Sequence, residues 1–234
     1  MAVQAQGRRA IVVGNSDGVG LALTRQLVAA GWTVAGLSRS ASDLTAPGYD
    51  HHVADVTGDD YRAVLSEVVG RLGGVDVCVY AAGVGEIFDV GDLAAQTRAL
   101  EVNLIGAART VEVVVPAMVA GGGGHLVGLS SLADAGPSAQ APGYAASKAG
   151  LTSYLVGLRG ALRPHGVRVT VVRFGFVDTK MAKSPVKPML LSVEQAADVV
   201  RDCLRTGPAV VSRPRRMAVL ARAAGVAATV AARR

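Results

Sequence analysis

Hydrophobic residues in this chain fall into short continuous runs, separated by longer stretches in which apolar positions recur at helical spacing. The runs, rich in Val, Ile and Leu, predict seven strands at 9–14, 33–37, 51–54, 75–80, 125–130, 167–173 and 209–212. The helical patterns between them cover 19–30, 59–72, 92–120, 143–163 and 193–206. Continuous apolar runs, unlike alternating ones, belong to strands buried on both faces, which is the condition of a parallel sheet between helical layers. The expected fold is therefore a single-domain, doubly wound α/β protein with a parallel seven-stranded sheet flanked by helices and right-handed crossovers. Residues 121–124, all glycine, read as a turn into a strand, and no linker divides the chain.

Composition narrows this picture. Of 234 residues 50% are hydrophobic but only 4% aromatic, so aliphatic side chains must fill the core. The 29 glycines follow no period, which excludes collagen-like and repeat architectures. Cys78 and Cys203 lie far apart, follow no metal-ligand spacing and are expected to be buried, reduced thiols. Residues 1–10 lack the apolar run of a signal peptide, and the expectation is a cytoplasmic protein without a transmembrane segment.

The net charge of +6 is unevenly distributed. From Arg201 onward eight arginines stand against one acid, Asp202, or +7, which leaves 16 basic and 17 acidic side chains before it, or −1. A nearly neutral body with a basic tail is no nucleic-acid footprint, and no aromatic residues interleave the arginines. Residues 1–212 are expected to form the catalytic domain and 213–234 a basic, Ala-rich helical tail. The stretch 217–232 is apolar but carries Arg222 and Gly225, and is too short for a bilayer, which needs about 20 apolar residues. Two readings stay open for it: a helix docked on the body, or one lying on a membrane surface.

The string Ala10-Ile-Val-Val-Gly14-Asn-Ser16-Asp17-Gly18-Val19-Gly20 leads from the first strand directly into a helix. Gly14 permits a tight turn, Gly18 a close approach of backbone to phosphate, and Gly20 close helix–strand packing. Exposed N–H groups at the helix start then suit a pyrophosphate. No Gly-Lys-Ser/Thr follows, so a P-loop nucleotidase is disfavoured. After the second strand come Ser38 and Arg39 where a free ribose 2′-hydroxyl would call for an acid; a cation there favours NADP(H) over NAD(H), unless Arg39 is simply a surface residue. Asp17 opposes a 2′-phosphate slightly by charge. Asp55, with Val56 after it, follows the third strand, where its carboxylate would accept from an adenine amino group or merely cap a loop.

Tyr144 and Lys148 stand one helical turn apart, thirteen residues after Ser131. An ammonium on the same helix face favours phenolate and lowers the tyrosine pKa from about 10. With Asn103, these landmarks resemble the short-chain dehydrogenase/reductase family, in its single-domain form of about 250 residues. The glycine turn is similar to that family's TGxxxGxG, with Val13 for threonine. Tyr80-Ala81-Ala82-Gly83 is similar to NNAG, Tyr144–Lys148 to YxxxK, and Phe174-Gly175-Phe176-Val177-Asp178-Thr179 to PGxxxT. The likeness runs from about Arg8 to Ser212. It implies a Rossmann-type fold in which Ala81, Ala82, Gly83, Gly175, Val177 and Thr179 bind the cofactor, the motif at Tyr80–Gly83 bracing the central strand and the adenosine half and the loop of Thr179 reaching the carboxamide. It further implies hydride transfer between nicotinamide C4 and a carbonyl carbon, with Tyr144 as general acid, Ser131 holding the carbonyl oxygen and Lys148 binding the nicotinamide ribose. Asn103, by the same likeness, holds a water linking Lys148 to solvent. The departures Tyr80, Ala81 and Phe174 affect cofactor bracing and loop geometry, not a reacting group.

Bringing a phenol to a pKa of about 7 requires roughly 4 kcal/mol. One lysine in water supplies about 1 kcal/mol, so the site must be largely desolvated. The segments 84–88, 132–143 and 181–191 should line the substrate cleft; apart from Glu86, Asp134, Lys183 and Lys187 they are small or apolar, which suits a modest hydrophobic ketone, aldehyde or alcohol. Lys180, Lys183 and Lys187 serve either an anionic substrate or acyl carrier protein, or a solvated lid face. Apolar residues on more than one face of the helices 93–120 and 143–163 point to a homodimer or homotetramer. The competing functional readings are a non-catalytic dinucleotide-binding regulator and a lyase or isomerase using the same tyrosine and lysine.

Overall fold

The computed structural model describes residues 8–181 and 187–231. Lys183, residues 1–7 and the last three residues of the tail lie outside the described residues. Seven strands, β1 (Arg9–Val13), β2 (Thr33–Ser38), β3 (Tyr49–Val53), β4 (Val77–Tyr80), β5 (Gly124–Ser131), β6 (Val167–Phe174) and β7 (Val210–Arg213), form one sheet in the order β3-β2-β1-β4-β5-β6-β7. Every pair is parallel, as the unbroken apolar runs require.

Successive residues of β1 turn to opposite faces and separate two cores. Ile11 and Val13 pack with Cys78, Leu65, Val114 and Leu155 beneath α2 (Tyr61–Leu72), α4 (Gly106–Ala120) and α5 (Pro142–Leu162). Ala10 and Val12 join Leu23, Leu27, Val200 and Cys203 beneath α1 (Gly18–Ala29) and α6 (Val193–Thr206). Both cysteines are free and buried, which pushes Cys78 up to about 12 and Cys203 up to about 11. The chain leaves β1 toward β2 and β3 on one side and continues from β4 on the other. A crevice therefore opens beyond the carboxyl ends of β1 and β4, the place where such sheets bind ligands.

The predicted continuous helix 92–120 is instead α3 (Ala94–Leu100), a π-helical segment Glu101–Ile105, and α4. Gly106 N bonds back five residues to Glu101 O, while the buried Tyr80 hydroxyl donates to Val102 O at 2.5 Å. A tyrosine competing for a helical carbonyl widens the turn there. Gly106 makes room for it, since a Cβ would lie 2.5 Å from the Tyr80 oxygen. The combined run Ala94–Ala120 contains an 18-residue window of mean hydropathy 1.5, long and apolar enough to cross a membrane by length and composition alone. It packs between α2 and α5 with Val102, Ala107, Val111, Val114 and Met118 buried, while Leu100, Ile105 and Val119 stay exposed. The tail forms α7 (Arg215–Ala231), docked on the 3₁₀ turn Leu132–Ala135 through backbone contact between Gly136 and Gly225.

Candidate active site

One groove of about 1130 Å³ runs across the carboxyl ends of the strands. At one end Ser38, Arg39, Asp55 and Val56 line it; in the middle come Gly14, Ser16, Asp17, Gly18, Val19, Gly20 and Ala81–Gly83; at the other end stand Ser131, Tyr144, Lys148, Gly175, Val177 and Thr179. All the sequence-predicted cofactor positions thus share one surface. Asn103 is fully buried and does not line it.

The glycine turn is shaped by contacts that no side chain would survive. Gly14 has φ +85°, and a Cβ on it would come within 2.4 Å of Ala82 N. On Gly20 a Cβ would sit 2.1 Å from Gly14 O. A Cβ on Gly18 would approach Thr179 Cγ2 to 3.2 Å, which narrows the groove between the turn and the β6 loop. A bare backbone ledge at a helix N-terminus, continuous with an elongated groove, fits an extended dinucleotide. Asp17 caps α1 by accepting from Gly18 N at 2.7 Å and pairs with Lys180 Nζ at 2.8 Å. Lys180 first, then Gly18 N, hold the Asp17 carboxyl below its usual range, and this pairing offsets much of the charge that opposed a 2′-phosphate.

At the end of the groove that holds Arg39, Asp55 accepts from Thr57 N (2.9 Å) and Oγ1 (2.7 Å) and lies 3.5 Å from Arg98. Burial works against its charge, but Thr57, Arg98 and Arg39 together hold the carboxyl below its usual range. The bland capping role thus operates, in a residue that also faces the groove. Beneath the glycine turn, buried Asn15 donates to the Tyr49 hydroxyl at 2.6 Å, which lies 2.9 Å from His51 Nδ1. His51 Nε2 is 3.1 Å from Ser40 O, so a polar chain ties β3 to the turn after Arg39. Nothing in the spacing of these residues announced it.

The end that holds Ser131, Tyr144 and Lys148 is built from β5 and α5. Ser131 closes β5, caps the 3₁₀ turn by accepting from Ala133 N (3.1 Å), and keeps its hydroxyl proton for another acceptor. Gly85 leaves room for the Tyr144 ring, since a Cβ there would lie 2.8 Å from it. Lys148 Nζ donates to Leu129 O at 2.9 Å and stands 5.8 Å from the Tyr144 ring centroid. The predicted acidification of the phenol is absent in this arrangement. Burial raises the Tyr144 pKa above its ordinary value; the Ser131 hydrogen bond pulls it down and the Asp134 charge pushes it up. Burial also lowers Lys148 to about 8. Desolvation penalises both charged forms, and with Nζ turned to a carbonyl it outweighs their mutual attraction.

Asn103 acts at one remove. Its Oδ1 accepts from Val84 N (2.8 Å), and its Nδ2 donates to Val84 O (2.8 Å) and Ser147 Oγ (2.9 Å). Ser147 Oγ in turn donates to Tyr144 O at 2.7 Å, so the π-helical segment fixes both the 84–85 loop and the first turn of α5. Asp134, expected in the cleft lining, is instead buried against Arg173, which donates through Nε at 2.7 Å and through Nη2. Thr152 Oγ1 also donates to Asp134 (2.7 Å) and lies 2.7 Å from Ser130 Oγ, which donates to Lys148 O at 3.1 Å. This network braces the turn after Ser131, and Arg173 had looked like an ordinary strand residue.

Comparison with known proteins agrees with the geometry. The chain matches the short chain dehydrogenase family over residues 8–189. It is 34% identical over 233 residues to an uncharacterized oxidoreductase of Myxococcus xanthus, covering 94% of this chain and 92% of that one. It is 29% identical over 193 residues to a very-long-chain 3-oxoacyl-CoA reductase of Aspergillus fumigatus, covering 76% of this chain and 56% of the other. A solved short-chain dehydrogenase from Streptomyces avermitilis superposes with a TM-score of 0.82 at 24% identity, over 96% of this chain and 94% of that one, and shares the fold. Fold, groove and sequence likeness converge: the chain belongs to the short chain dehydrogenase family of oxidoreductases.

Proposed function

We propose that the protein is an NADP(H)-dependent oxidoreductase that interconverts a ketone or aldehyde and its alcohol, with Tyr144 as general acid and base. The observation that carries this reading is the convergence of Ser131, Tyr144 and Lys148 at one end of a groove whose far end presents Ser38 and Arg39. A bound nicotinamide dinucleotide supplies the hydride in reduction and accepts it in oxidation.

The chain's own residues handle the proton. Burial keeps the Tyr144 hydroxyl protonated at neutral pH, so it meets a carbonyl oxygen as a donor. Ser131 offers a second hydrogen bond to that oxygen and stabilises the charge that grows on it. Lys148 and Gly83 face the same space: a Cβ on Gly83 would lie 3.4 Å from Lys148 Nζ, and the bare glycine leaves the lysine open to ribose hydroxyls. Arg39 stands after β2 where a free ribose 2′-hydroxyl would call for an acid, and it selects the 2′-phosphate although Asp55 lies near enough to feel its charge. The substrate end, walled by Val84, Ile87, Leu132 and Met181, suits an apolar compound, and the Aspergillus relative's 3-oxoacyl name agrees with a ketone as the reacting group. Exposed Leu100, Ile105 and Val156 on the helical faces support a homodimer or homotetramer, and the buried reduced thiols suit a cytoplasmic setting.

The test is nicotinamide absorbance with purified protein, NADPH or NADH, and a panel of apolar ketones and aldehydes. Turnover of at least one carbonyl, faster with NADPH, is expected. Cofactor binding without turnover of any member would assign the fold to a regulator instead.

A further inference from the structure

Helix α7 has two faces with different work. Its inner face carries Met217, Ala221 and Ala224, which wall the substrate groove, and Gly225, whose position would place a Cβ 2.1 Å from Ala135 O. Its outer face is apolar and uncovered: Val219, Leu220, Val226 and Val230 are 70%, 63%, 66% and 54% exposed. At about 100° per residue, Val219, Val226 and Val230 fall within about 20° of one line along the helix. Arg215 and Arg222 lie about 40–60° to one side of that line and Arg216 about 60° to the other. All three arginines are exposed, and no carboxylate follows Asp202 anywhere in the sequence. The helix packing explains the inner face and leaves the outer one without a function.

We propose that this outer face seats the protein on an anionic bilayer surface, with the valine stripe in the headgroup–acyl boundary and the arginines on lipid phosphates. Apolar residues rimmed by cations without acids are what an interfacial helix requires, and seventeen residues interrupted by Arg222 cannot span. Charge argues against a second copy as the occupant. Two-fold pairing through the stripe would set Arg215, Arg216 and Arg222 against themselves with no acid in the helix to answer them.

The experiment is vesicle flotation of the full chain with phosphatidylcholine alone and with phosphatidylcholine mixed with phosphatidylglycerol. Binding to the anionic vesicles only, weakening as salt screens the charges, is expected. The Val219→Asp/Val226→Asp variant should lose binding. The Arg215→Gln/Arg216→Gln/Arg222→Gln variant should weaken it roughly 100-fold, at about fivefold per arginine. Unchanged circular dichroism and thermal midpoint certify that both variants are folded. No binding of the wild type, equal binding to both vesicle types, or equal binding by either variant overturns the proposal. So does a mass in solution that falls when the valines are replaced, which would assign the face to contacts between copies.

Discussion

Asp134 and Arg173 form an ion pair whose side chains are 3% and 7% exposed, and its disruption is the most quantitative consequence of the site's construction. Replacing Arg173 by Met leaves a buried carboxylate with Thr152 as its remaining side-chain donor. Breaking one side of such a pair costs about 3–5 kcal/mol, because the surviving charge keeps its desolvation penalty. For 234 residues the unfolding entropy is about 0.5 kcal/mol/K, so the melting midpoint should fall by roughly 6–10 °C. Asp134→Leu alone should cost as much, since it strands the guanidinium. The double variant Asp134→Leu/Arg173→Met removes both charges and should lie closer to wild type than either single one. Differential scanning calorimetry of the four proteins closes the cycle. Additive losses, or single-variant shifts under about 2 °C, would refute the description of a coupled buried pair. The double variant carries a chemical readout as well. After burial, the Asp134 charge is what keeps the Tyr144 pKa up, so the pH–rate profile should move to lower pH when that charge is removed.

Arg39→Asp should shift the NADPH/NADH ratio of kcat/KM toward NADH by roughly tenfold or more, since it replaces attraction for the 2′-phosphate by repulsion at a partly screened site; an unchanged ratio would leave Arg39 as surface. Lys148 gives a pH test with a definite sign. Its pKa is about 8 when folded against 10.5 ordinarily, so the folded state binds fewer protons between those values and its cost of about 3 kcal/mol fades as pH rises through that window. Denaturant unfolding should therefore show wild type gaining on Lys148→Met from pH 8 to 10.5, and a pH-independent difference would contradict the depressed pKa.

The parts of the molecule legible in the sequence are those written in backbone punctuation and local spacing. Apolar runs placed the inner strands within a residue or two, because a buried parallel strand has no polar alternation to blur, whereas β3 at the sheet edge carries Asp50, His51 and His52 and is only half-buried. Gly14 and Gly20 stood out because neither tolerates a Cβ, and Tyr144 and Lys148 because one helical turn sets their spacing. What escaped was made by contacts between distant residues. Tyr80 looked like a lost asparagine, yet its hydroxyl is what opens the π-helical turn holding Asn103. Asp134 and Arg173 lie 39 residues apart and meet only because β5 and β6 are neighbours. Spacing likewise shows that a lysine is near Tyr144 but not the burial that raises the phenol's pKa and lowers the ammonium's. Docking of α7 depends on Gly136 meeting Gly225, two glycines without local meaning.

The proposed function rests on Tyr144 delivering the proton, and the Tyr144→Phe variant addresses that directly. Turnover of the best carbonyl from the panel and NADPH affinity by fluorescence titration should be measured on the same preparation. Loss of the acid should cost about 10²–10⁴-fold in kcat, while NADPH affinity stays within a few-fold of wild type. A variant that retains a tenth of the wild-type rate with cofactor bound would show that the proton comes from elsewhere.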